Sequence, residues 1–174
     1  MLKKILRKKL IILRKKRYKN IENIFLKLKY LLKKKKLSFK TIGGYYPINY
    51  EIDCLKILFK LDSENHKISL PVISNKNQMD FFSWSFDEAL RINKLGIPEP
   101  FIKKKVVHPD IILIPLVGFD SNNFRLGYGG GYYDRYIAKM KNKKIITTIG
   151  LSFSFQKVMK LPIDKFDKKL DFVI

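Results

Sequence analysis

Apolar residues at Leu2, Ile5, Leu6, Leu10 and Leu13, and again at Ile21, Ile24, Phe25, Leu28, Leu31 and Leu32, recur at steps of three and four. That period gathers them on one face and predicts two amphipathic helices in the first fifth of the chain. The run Lys33 to Lys36 then reads as a solvated helix end favoured by the helix dipole. After it the pattern changes. Ser38 to Tyr46 reads as a strand ended by Gly43, Gly44 and Pro47, and Ile52, Leu55, Leu58 and Phe59 set a helix after Glu51. A strand follows at Ile68 to Ile73 and another extended segment at Met79 to Phe86, and the Pro-punctuated stretch Leu95 to Phe101 reads as a loop over a pocket. Ile111 to Val117 is a continuous apolar run, as expected of a central strand buried on both faces. The chain then passes through a Gly-rich loop into a helix near Gly131 to Met140, and Ile145 to Ser152 and Asp171 to Ile174 are again strand-like. Helices alternating with apolar strands predict an α/β single domain, Rossmann-like, with a mainly parallel central sheet flanked by helices.

Length and charge sharpen this picture. A chain of 174 residues, 46% hydrophobic, buries one core and is too short for two domains, so residues 1–174 are expected to form one unit with the basic segment 1–36 packed on it. The net charge of +22 points towards nucleic acid or an anionic membrane. However, residues 1–40 hold 17 Lys/Arg against the single acid Glu22, which leaves only +6 for the rest. No RNP, KH or zinc pattern accompanies the charge, so neither a specific nucleic acid nor a membrane is expected as a partner. A basic module binding single-stranded nucleic acid stays as the alternative function. Cys54 stands alone and the two histidines form no ligand cluster, which suits a reduced, cytoplasmic protein. No run is long enough to span a membrane, and the amino-terminal apolar residues are too interrupted for a secretory signal.

Chemistry concentrates after the central strand. Gly127, Gly129, Gly130 and Gly131 lie between that strand and a helix, where residues without Cβ let backbone N–H groups approach an anion. The pattern is neither GxGxxG nor GxxxxGK[ST], and four glycines in five positions also suit a merely flexible turn. The flanking residues favour a phosphate site: Arg125 offers a planar fork, Tyr132 and Tyr133 offer rings and hydroxyls, and Asp134 is an acid at a helix start.

The stretch RLGYGGGYYDRY, Arg125 to Tyr136, resembles the signature of the 5-formyltetrahydrofolate cyclo-ligases, also called methenyltetrahydrofolate synthetases. The resemblance runs in order along nearly the whole chain, through Lys3 and Arg7 four apart on the first helix, YYPINYEID with Glu51, GIPEP at Gly96 to Pro100, and the apolar strand ending in Phe119-Asp120. It implies an enzyme that uses ATP and Mg²⁺ to close 5-formyltetrahydrofolate into 5,10-methenyltetrahydrofolate through a phosphorylated formyl group; a monomer is expected. It further implies that Lys3 and Arg7 contact ATP phosphates, and that Arg125, Leu126, Gly127, Tyr128, Gly129, Gly130, Gly131, Tyr132 and Tyr133 form the nucleotide loop. Arg7, Arg125 and Tyr132 would act closest to the reacting groups, and Tyr46, Glu51 and Tyr132 would bind the folate. Asp134 and Asp167 would bind the metal, with Asp164 and Asp171 as neighbouring alternatives to Asp167. Read locally, Lys3 and Arg7 are two of many solvated cations and Glu51 is an exposed helix-start acid. His66 and His108 are given no catalytic role, Cys54 is read as a small core residue, and Met79 and Trp84 as candidates for a folate cleft.

Overall fold

The computed structural model describes residues 2–18, 23–74, 78–101 and 105–174; Ile21 and Glu22 lie outside them. The described helices are α1 (Leu2–Arg17), α2 (Ile24–Lys34), α3 (Cys54–Ser63) and α4 (Tyr132–Lys141). The strands in chain order are β1 (Thr41–Gly43), β2 (Lys67–Ile73), β3 (Met79–Ser83), β4 (Arg91–Ile92), β5 (Pro98–Glu99), β6 (Val106–Val107), β7 (Ile111–Pro115), β8 (Gly118–Phe119), β9 (Arg125–Leu126), β10 (Thr147–Leu151) and β11 (Phe172–Val173). Seven of them make one sheet in the order β11-β10-β7-β1-β2-β3-β6. The pairs from β11 to β2 are parallel, while β3 runs antiparallel to β2 and β6.

The apolar run at β7 explains the layering. Side chains alternate across a strand, so Ile111 and Leu113 face the cluster that holds Leu28 and Leu32 of α2 and Ile57, Leu58 and Leu61 of α3. Ile112 and Ile114 face the opposite cluster with Tyr136, Ile137 and Met140 of α4. All four are at most 2% exposed, so truncating one to Ala costs about 2–5 kcal/mol. Polar staples fix the register. Asp110 accepts bonds from the backbone N–H groups of Lys40 and Thr41 and from the Thr41 hydroxyl, and Asp171 accepts from the N–H and hydroxyl of Thr148.

Three elements differ from their sequence pattern. Leu2 and Ile5 are 64% and 58% exposed, and α1 packs instead through Leu6, Leu10 and Leu13 against Val117, Leu126 and Leu161. The strand expected over 38–46 is only Thr41–Gly43, because the chain then leaves the sheet edge: a Cβ on Gly44 would lie 2.5 Å from Leu58 Cδ1, and the Tyr45 hydroxyl donates to the Ile52 carbonyl at 3.0 Å. Ile145, expected in a strand, is 94% exposed before β10 begins at Thr147.

From β1 the sheet grows to one side through β2 and to the other through β7 and β10, so the strand order reverses between β1 and β7. Ligands of open parallel sheets bind at the carboxyl ends of the strands beside such a reversal. Tyr45 and Tyr46 follow β1 there, and Pro115 ends β7.

Candidate active site

A cavity of about 960 Å³ opens at that edge. Every residue singled out for substrate, nucleotide or metal in the sequence lines it, except Asp171, whose carboxylate is spent on Thr148. Of the two residues read as cleft candidates, Met79 lines it. Trp84 does not; it is buried against Phe86, ring centroids 4.6 Å apart, and its indole N–H donates to the Glu88 carbonyl.

One end is built for anions. The loop after β9 enters α4 through Gly131, whose φ of +67° is left-handed, and Gly129 has φ +107°. Arg7 lies across this loop: its Nε donates to the Gly127 carbonyl at 2.7 Å, and a Cβ on Gly129 would stand 3.3 Å from its guanidinium carbon. Lys3, one helical turn earlier, bonds Asp164 Oδ2 at 2.8 Å and Asp167 Oδ2 at 2.6 Å. Burial works against the Lys3 charge, but these carboxylates prevail and hold its pKa above the usual lysine value.

Arg125 differs from its sequence reading. Its guanidinium is not an open fork, since the side chain is 4% exposed, bonded to Asp134 Oδ2 at 3.0 Å and to the Lys168 carbonyl at 3.3 Å. Asp134 Oδ1 in turn accepts the Lys168 N–H at 2.9 Å, so the pair clamps the 161–168 segment to the start of α4. Asp134 and Asp167 thereby share the cavity wall. Among the described residues no group of three or more His, Cys, Asp or Glu side chains gathers as a metal site. Carboxylate oxygens are donors that Mg²⁺ takes together with phosphate oxygens and water, but Asp134 is engaged by Arg125 and the Lys168 N–H and Asp167 Oδ2 by Lys3, so a metal would have to share them.

The other end is apolar and aromatic with one acid. Residues Ile48 to Glu51 form a tight turn in which Asn49 and Tyr50 have φ +49° and +62°, and Glu51 N–H donates to the Ile48 carbonyl at 3.0 Å. The Glu51 side chain folds back, so that Oε2 accepts the Ile48 N–H at 2.9 Å while Oε1 has no partner among the described residues. Glu51 is 5% exposed, which corrects its reading as an exposed helix-start acid; α3 is capped instead by Asp53, which accepts the Lys56 N–H. Burial pushes the Glu51 pKa up to about 7, against the pull of the Ile48 N–H, the Arg14 charge and the Tyr128 hydroxyl. Burial also raises Tyr45 and Tyr133 well above the ordinary phenol value, so they are neutral polar walls.

A model of the 5-formyltetrahydrofolate cyclo-ligase family matches residues 2–174. The chain belongs to that family. A 5-formyltetrahydrofolate cyclo-ligase from Haemophilus influenzae is 34% identical over 137 residues, covering 75% of this chain and 73% of the relative. The solved structure of a 5,10-methenyltetrahydrofolate synthetase from Mycoplasma pneumoniae superposes with TM-score 0.76 at 30% identity, over 100% of this chain and 98% of that one. The Aquifex aeolicus 5,10-methenyltetrahydrofolate synthetase gives TM-score 0.79 at 32% identity, over 99% and 89%.

Within this cyclo-ligase fold the sequence reading missed Arg14, which is 1% exposed on α1. A signal was present: Arg14 continues the four-residue spacing of Leu6 and Leu10, the stripe that packs, where a solvated cation would not sit. The histidines stay outside the site, with His66 stacked on Phe39 at 4.1 Å. Cys54 is buried, and burial raises its thiol pKa, so it is an inert core residue.

Proposed function

We propose that this chain closes 5-formyltetrahydrofolate to 5,10-methenyltetrahydrofolate at the expense of ATP, releasing ADP and phosphate, as a cytoplasmic monomer. One observation carries the reading: a single cavity joins a glycine-lined helix start with two cations to a buried carboxylate walled by tyrosines. ATP phosphates lie along the Gly loop, where backbone N–H groups, Arg7 and Lys3 meet their charge. The pterin lies at the other end, its N–H donors on the unpartnered Glu51 Oε1 and its faces against Tyr46 and Tyr132. With both substrates held, the formyl oxygen attacks the γ-phosphorus and ADP leaves. N10 then attacks the activated carbon, and phosphate departs with the N10 proton as the ring closes. Neither step needs a protein nucleophile; each needs alignment and charge neutralisation. Asp134 and Asp167 would hold Mg²⁺, which would add to the neutralisation of phosphate oxygens. Arg125 serves the reaction by fixing Asp134.

No described helix is long and apolar enough to cross a membrane. The test is direct: purified protein with 5-formyltetrahydrofolate, ATP and Mg²⁺ develops the near-ultraviolet absorbance of the methenyl product, and none appears without ATP. Absence of that absorbance, with salt-dependent binding to single-stranded nucleic acid instead, sinks the reading.

A further inference from the structure

Arg14 is a buried guanidinium with no carboxylate bonded to it among the described residues. Nη1 donates to the Leu116 carbonyl just beyond β7 at 3.1 Å, Nη2 donates to the Tyr128 hydroxyl, and Nε has no partner among the described residues. Its guanidinium carbon lies 5.7 Å from the centre of the Tyr128 ring. A cation so placed carries a large desolvation cost that a helix anchor does not require, since any apolar residue continuing the Leu6–Leu10 stripe would pack α1 as well. Something must use the charge.

Tyr128 lines the cavity and Arg14 does not. A hydroxyl that accepts from Arg14 keeps its own proton to donate, and burial pushes its pKa up to about 12, so it remains a donor. Glu51 lines the same cavity. Tyr45 after β1, Tyr128 from the Gly loop and Tyr133 from α4 share the cavity wall with that carboxylate, Cys54 opens α3 just after it, and Arg14 of α1 stands behind Tyr128, its charge pulling the Glu51 pKa down. Arg14 is the one cation among them.

We propose that Arg14 is a positioning residue for the pterin end of the cavity, fixing Tyr128 from behind and supplying the positive charge that Glu51 faces. The proposal rests on the folate reading above and adds a specific dependence to it. A carboxylate accepts two N–H donors of a pterin only when ionised, so the charge behind it sets the pH range in which folate is captured.

The experiment is the pH profile, from 5.5 to 9, of kcat/KM for 5-formyltetrahydrofolate at saturating ATP and Mg²⁺, in the parent, Arg14→Gln, Arg14→Lys and Tyr128→Phe. The expected result for Arg14→Gln is an acidic limb moved up by about one pH unit, a loss of about tenfold at pH 6 that fades towards pH 9. Arg14→Lys keeps the charge and returns the limb towards the parent's. Tyr128→Phe keeps the ring but cuts the link, and moves the limb the same way as Arg14→Gln. The KM for ATP stays near the parent's in the Arg14 variants. An Arg14→Gln limb that superimposes on the parent's, with only a lower melting temperature, overturns the role and leaves Arg14 a packing anchor. If Arg14→Gln does not fold, a parent-like limb in Tyr128→Phe overturns it equally. A parent that forms no methenyl product brings down the folate reading itself, a result distinct from either.

Discussion

Glu51→Gln should make the protein more stable and the enzyme worse, with the gain in stability growing as pH rises from about 4.5 to about 7. Glu51 is 5% exposed, one of its oxygens is unpartnered, and burial raises its pKa from 4.5 to about 7. An acid whose folded pKa lies above its unfolded value holds its proton longer in the folded state. Folding therefore becomes less favourable as pH rises through the window from about 4.5 to about 7, and above it the native state carries the whole cost of the buried charge. A gap of about 2.5 units corresponds to up to about 3 kcal/mol at pH 8, since each unit is worth about 1.4 kcal/mol. Gln mimics the neutral acid: its carbonyl oxygen still accepts the Ile48 N–H, while the amide N–H₂ that replaces Oε1 gives back part of the gain. Urea melts of parent and variant at pH 5 and pH 8 measure it. The difference between the two proteins should stay under about 1 kcal/mol at pH 5 and favour the variant by about 1–3 kcal/mol at pH 8. At the same time kcat/KM for the folate should fall by about tenfold or more, because a charged acceptor for two pterin donors is gone. An equal change in stability at both pH values would show that Glu51 is not a strained buried charge and that its unpartnered oxygen is not held ready for a pterin donor.

The Gly loop gives a second prediction: Gly129→Ala places a Cβ 3.3 Å from the Arg7 guanidinium on a backbone with φ +107°, so it should cost about 1–2 kcal/mol in a melt yet raise the KM for ATP by about tenfold. Its control is Gly44→Ala, whose Cβ would fall 2.5 Å from Leu58 and 2.9 Å from the Cys54 sulfur; overpacking should cost about 1–3 kcal/mol with ATP affinity unchanged, and equal ATP affinity in both variants would reduce the loop to a connector. Third, Lys3→Met should weaken ATP binding in calorimetry by about tenfold through a lost charge-assisted bond, while the melt barely moves because its ion pairs are partly exposed; parent-like ATP affinity would assign Lys3 to the Asp164 and Asp167 contacts alone.

What the sequence revealed and what it hid follow from how each residue earns its place. Ile111 to Ile114 were legible because burial on both faces leaves an uninterrupted apolar run, and the Gly loop because backbone approach to an anion demands an unusual composition. Strand ends were less so: β1 stops at Gly43 where Gly44 is pressed against α3, a contact between residues fourteen positions apart that no local pattern records. The charged residues divide the same way. Lys3 and Arg7 keep a spacing visible on a helix, yet their partners, Asp164, Asp167 and the Gly127 carbonyl, are more than a hundred residues distant, and Arg125 reads as a free cation only because its bond to Asp134 spans a loop that the sequence does not fold. Glu51 and Arg14 mark the limit. In composition they are an acid before a helix and one more cation in a basic segment; Arg14 is set apart only by its place on the Leu6–Leu10 stripe, and nothing local sets Glu51 apart. They become functional candidates because two helices and a loop remove both from water around one cavity, where the cost of each charge is offset only if the other, or a ligand, answers it.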